Sequence, residues 1–257
     1  MEGNGIPHDG LGHETGTPSQ NTPAPPPPSS RDKIIEALMQ LAAERDWEDF
    51  SVSDVAERAG VTLADFRDAF PSKGAVLAGL SKKIDRTVLE GTTDDLRDET
   101  PKERLFDVLM RRLDAMQPYK LGLEGVAAWV KRDPLAASAL NGVALNSMRF
   151  MLEAAGIDSE KRAGALKLQG LVLAWTRVLH VWFKDDEPGQ ARTMAALDRE
   201  LTRGETWAAR VDDLDRLIRP VGLLARSIMN AGGRLHERRR DGAREASRND
   251  PDTGSAR

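Results

Sequence analysis

The sequence predicts an all-α protein, and three observations carry that prediction. Apolar residues recur at helical spacing over most of the chain between residues 31 and 232, without the alternation of strands and without a long internal repeat. Helix-start signals of the form Ser/Thr-x-x-acid occur at Ser51 with Asp54, Thr62 with Asp65 and Thr100 with Glu103. Glycines at 60, 91 and 156 fall where such helices have to stop.

The first helix is marked by Ile34, Ile35, Leu38, Leu41 and Ala42, which return to one face every three or four residues. The run SVSDVAERAGVTLADFRDAF, Ser51 to Phe70, then reads as two short capped helices joined by a tight turn at Gly60. Val52, Val55, Ala56, Ala59, Val61 and Phe66 are placed to close a small core between them. Such a helix-turn-helix can present its second helix to a DNA major groove.

Val76, Leu77, Leu80, Ile84 and Val88 mark a long helix leaving this unit and ending at Gly91. The acidic segment Thr92 to Glu99 reads as a linker, and the next helix opens at Thr100 with Pro101 in its first turn. Asp133 and Pro134 open a further helix that Gly156 ends, and Asp158 is expected to start another running towards Phe183. Its stripe of Leu168, Leu171, Val172, Trp175, Leu179 and Trp182 is broad enough to face both a core and a partner. After Pro188 comes a helix with Met194, Leu197 and Leu201. A last one carries Leu214, Leu217, Ile218, Val221 and Leu224, disturbed at Pro220. Two of these helices can pair with their symmetry mates in a four-helix interface.

Residues 1–30 are rich in Gly, Pro, Thr and Ser and read as a disordered tail, as do the charged residues 233–257. The 257 residues include no cysteine, which excludes disulfides and thiolate metal sites and suits a reducing cytoplasm, the location assigned here. No apolar run approaches the ~20 residues that cross a bilayer, and the N-terminus lacks the basic-then-apolar pattern of a secretory signal. The four histidines stand at His8, His13, His180 and His236, with no nucleophile motif and no glycine-rich phosphate loop. No catalytic residues, metal site or cofactor are assigned, and the chain is read as a non-enzyme.

With its flanks, the run RDKIIEALMQLAAERDWEDFSVSDVAERAGVTLADFRDAFPSKGAVL, Arg31 to Leu77, resembles the tetracycline-repressor (TetR) family. The resemblance implies an all-helical homodimer with an N-terminal three-helix helix-turn-helix domain, residues 31–77. A C-terminal helical domain for ligand binding and dimerisation, residues 78–232, would share its first helix with the linker. The implied partners are a double-stranded DNA operator and a small apolar ligand. Thr62, Leu63, Ala64 and Arg67 are expected at base edges, with Ser51 and Lys73 on phosphates. Family members usually carry an aromatic and a polar or basic residue where this chain has Arg67, Asp68 and Ala69. From Arg31 to Lys73 the basic residues are Arg31, Lys33, Arg45, Arg58, Arg67 and Lys73, against ten acidic ones, a net −4.

Flexible thioethers and aromatic faces suit apolar ligands, so Met116, Trp129, Met148, Met151 and Trp175 are the expected cavity lining, with plain core packing as the bland alternative. His180 has no Asp or second His at ligand spacing and is expected as an exposed or hydrogen-bonded histidine. Asp185 to Arg199, DDEPGQARTMAALDR, is similar to the C-terminal signature of a TetR-fold lipid-binding family of ubiquinone biosynthesis. The matching positions are Asp185, Asp186, Pro188, Thr193, Leu197 and Arg199. That second resemblance implies a lipid-binding protein that does not bind DNA and whose segment Leu214 to Met229 meets a membrane.

Overall fold

The computed structural model describes residue 1 and residues 28–91, 98–160 and 164–206. Every regular element among them is helical. The order is α1 (Ser30–Glu44), α2 (Val52–Ala59), α3 (Leu63–Ala69), α4 (Lys73–Glu90), α5 (Pro101–Met116), α6 (Lys120–Val130), α7 (Pro134–Ala154) and α8 (Gly164–Trp182), followed by α9 over residues 191–206. Most of the expected tails, and the expected last helix with Leu214 to Met229, lie outside the described residues.

The helix starts follow the chemistry of their first residues. Ser51, Thr62 and Thr100 each accept from the backbone N–H three residues on, while Asp54, Asp65 and Glu103 reach back to the cap's own N–H. Asp133 accepts from the N–H groups of Leu135 and Ala136 at 2.9 and 3.1 Å and opens α7, with Pro134 in the first turn. Gly156 has φ +70° and follows the end of α7.

Two boundaries depart from the sequence reading. Pro118, which lacks an N–H, stands in a 3₁₀ turn (Gln117–Tyr119) that separates α5 from α6, a break the reading did not place. Asp158, expected to start α8, instead turns on itself, its Oδ1 accepting from Glu160 N–H at 2.8 Å. The helix is described from Gly164, and 157–160 are not helical.

The apolar stripes converge on one continuous core running from α1 through α9. Ile34, Leu38 and Leu41 of α1 are almost wholly buried, each contributing about 1.5–3 kcal/mol relative to exposure. α1 lies under the helix-turn-helix and also packs closely on α6. At Gly122 an added β-carbon would lie 3.0 Å from the Met39 carbonyl carbon. Beside this crossing Trp47 stacks on Trp129, centroids 4.6 Å apart, and Tyr119 donates to Glu36 at 2.6 Å. The helix-turn-helix is therefore seated on the body of the molecule by α6.

Candidate functional site

Gly60 adopts φ +64°, a left-handed conformation that a side chain disfavours. Its N–H reaches Glu57 O, and Val61 N–H reaches Ala56 O, each at 3.0 Å, which satisfies the last carbonyls of α2 and turns the chain. α3 follows at once. Phe66 and Phe70 point inward and are 2% exposed, and Val55 and Ala56 of α2 belong to the same core. Leu63, Ala64, Arg67 and Asp68 are left facing outward, with Leu63 55% exposed.

The expected contact residues divide by their internal commitments. Arg67 is exposed and makes no hydrogen bond or ion pair with a described residue. Leu63 and Ala64 are equally open. The Thr62 hydroxyl donates to Asp65 at 2.7 Å and the Ser51 hydroxyl to Asp54 at 2.6 Å, so both caps are exposed but engaged. These bonds hold the carboxyls of Asp54 and Asp65 below their ordinary value.

Lys73, expected on phosphate, is turned inward. Its Nζ donates to Trp47 O at 2.6 Å and Phe50 O at 2.5 Å and lies over both rings. Burial holds its pKa below the ordinary lysine value. Its ammonium satisfies two loop carbonyls before α2. Arg31 donates to Ala69 O at 2.5 Å and lies over Phe70, and Arg58 pairs with Glu44 through two bonds of 2.9 and 2.8 Å. Three of the segment's six cations thus have partners within the protein, Lys73 half-buried and Arg31 and Arg58 at the surface.

In the C-terminal region Met116, Met148, Met151 and Trp175 are buried in the common core. Trp129 lies apart from them, half-buried at the junction with the helix-turn-helix and stacked on Trp47. His180 is exposed, 3.3 Å from the Lys184 ammonium.

Beside these residues lies a buried polar cluster not expected from the sequence. Arg112 of α5 is paired with Asp85 of α4, and Ser147 of α7 donates to the same carboxylate at 2.7 Å. Arg112 lies 5.9 Å from the centre of the Trp175 ring, and its Nε has no hydrogen-bond partner among the described residues. Its burial depresses the guanidinium pKa, opposed by Asp85. The signal was available: Asp85 and Arg112 fall in phase with Ile84, Val88, Leu109 and Leu113 on core-facing helix sides.

The segment similar to a lipid-binding signature has a structural explanation. Asp185 Oδ2 accepts from Thr193 N–H at 2.8 Å and from its hydroxyl at 2.7 Å, which ties the loop to the first turn of α9. Leu197 is core. No helix among the described residues is long and apolar enough to cross a membrane, and none of their His, Cys, Asp and Glu side chains group as a metal site.

Fold and exposed helix together define a helix-turn-helix protein with an all-helical second part. Residues 34–80 match the family model for bacterial regulatory proteins of the tetR family. The chain is 27% identical over 119 residues to the HTH-type transcriptional regulator AlkX of Mycobacterium tuberculosis, covering 44% of this chain and 48% of that protein. It is 31% identical over 81 residues to the HTH-type transcriptional regulator PksA of Bacillus subtilis, covering 31% of this chain and 40% of that one. The chain thus spans about half or less of the length of these relatives. The crystal structure of a TetR transcriptional regulator from Nitrosomonas europaea shares the fold, with a TM-score of 0.55 at 21% identity, covering 69% of this chain and 99% of that one.

Proposed function

We propose that the protein is a homodimeric, TetR-type transcriptional regulator that binds a double-stranded operator and is released or engaged by a small apolar ligand. The observation that carries this reading is α3, a capped helix whose Leu63, Ala64 and Arg67 face outward beyond the Gly60 turn, within the segment matched by the family model. Arg67 is the residue assigned to a guanine edge, with Leu63 and Ala64 placed for thymine methyl groups. Thr62 and Ser51 border the groove as caps.

The ligand site is assigned to the region of Met116, Met148, Met151 and Trp175. α6 offers the mechanical route, because it bears on α1 without intervening side chains at Gly122 and Gly125. A ligand that prefers one position of α6 changes the spacing of two recognition helices and shifts the population that fits DNA.

Selection of genomic fragments with the purified protein at physiological salt tests the reading. A palindromic site should be enriched, and Arg67→Ala should weaken its binding by about 1–3 kcal/mol at fixed salt. Retention that is weak, sequence-independent and abolished by salt would sink it.

A further inference from the structure

Successive residues of α3 are turned by ~100° about its axis, so Ala64 and Asp68 lie one turn apart on one face. Phe66 and Phe70 mark the opposite, buried face. Asp68 therefore stands near the centre of the outward surface, with Arg67 beside it. It is exposed and makes no hydrogen bond or ion pair with a described residue.

Nothing in the fold accounts for a carboxylate there. Asp65 caps α3, but Asp68 lies in its last turn, where negative charge opposes the helix dipole. It also adds repulsion towards phosphate in a segment where Arg31, Arg58 and Lys73 already have partners within the protein.

An ionised carboxylate accepts hydrogen bonds and donates none. In the major groove guanine presents acceptors, thymine an acceptor and a methyl, and adenine an acceptor beside its amino group. Cytosine presents the N4 amino donor without a neighbouring acceptor. We propose that Asp68 is a specificity-determining residue that accepts from a cytosine N4 amino group, while Arg67 reads a guanine of the same or the adjoining base pair. This rests on the regulator reading above.

The test is selection from randomised duplexes by the full-length protein and its Asp68→Asn and Asp68→Ala variants, at one salt concentration. Both variants should fold with unchanged or raised melting temperature, since the charge opposes the helix dipole. Wild type should require cytosine at one position of each half-site. Asp68→Asn should move that position to adenine, Asp68→Ala should accept any base there, and the other positions should stay unchanged. Each variant should bind the wild-type site about 10-fold more weakly. If both variants keep the wild-type base ratios at every position and merely bind all duplexes more tightly, Asp68 is only repulsive and the inference falls while the regulator reading stands. If wild type enriches no sequence, both fall.

Discussion

Gly125 of α6 meets the carbonyl oxygen of Ala42 on α1 so closely that a β-carbon would overlap it. The obstacle is backbone, which cannot rotate away. Gly125→Ala should therefore cost about 1–3 kcal/mol in urea unfolding through overpacking at the junction. Gly142, inside α7, has open space around the position of a β-carbon, and Gly142→Ala should stabilise by about 0.5–1 kcal/mol. Equal effects of the two substitutions would refute the close crossing.

Asp85 and Arg112 tie the helix that leaves the helix-turn-helix to the body of the protein. Asp85→Ala leaves a guanidinium buried without its counter-charge and should destabilise by about 3–5 kcal/mol. Adding Arg112→Met removes the stranded charge, so the double variant should regain much of the loss. A double-mutant cycle by chemical denaturation reads this out, and simple additivity would contradict it.

Acid should loosen the helix starts of α2 and α3. The carboxyls of Asp54 and Asp65 are held below their ordinary 3.8 by the Ser51 and Thr62 hydroxyls and N–H groups. A lowered folded-state pKa contributes stability that is fully present above the unfolded value and fades as pH falls through the folded one. Thermal unfolding should lose stability below about pH 4, and Asp54→Asn with Asp65→Asn should flatten that limb.

Lys73 offers a test with two readouts. Lys73→Met should cost about 1–3 kcal/mol of stability, because the Trp47 and Phe50 carbonyls lose their donor. The salt dependence of the operator binding proposed above should not change. A slope smaller by about 0.9 per protomer would mean that the ammonium neutralises a phosphate after all.

Local chemistry made much of this molecule legible. Ser51 with Asp54, Gly60, and Thr62 with Asp65 need only neighbouring residues to form caps and a turn, and each is found where the spacing puts it. The apolar stripes of α1 and α4 likewise name their buried sides. Asp158 misled because an acid two residues before an N–H can close a turn as readily as it starts a helix. The internal contacts of Lys73 and Trp129 could not be read locally, because their partners, Trp47 and Phe50, lie more than twenty residues away.

By itself the sequence determined that the chain is helical, where its helix-turn-helix lies and which side of α3 faces out. Those properties follow from periodicity and from bonds between residues a few positions apart. Only the tertiary structure decided which cations of the helix-turn-helix segment have partners within the protein, that α6 bears directly on α1, and that Arg112, Asp85 and Ser147 meet in the core. These depend on contacts between distant segments, whose geometry is set by how the helices pack.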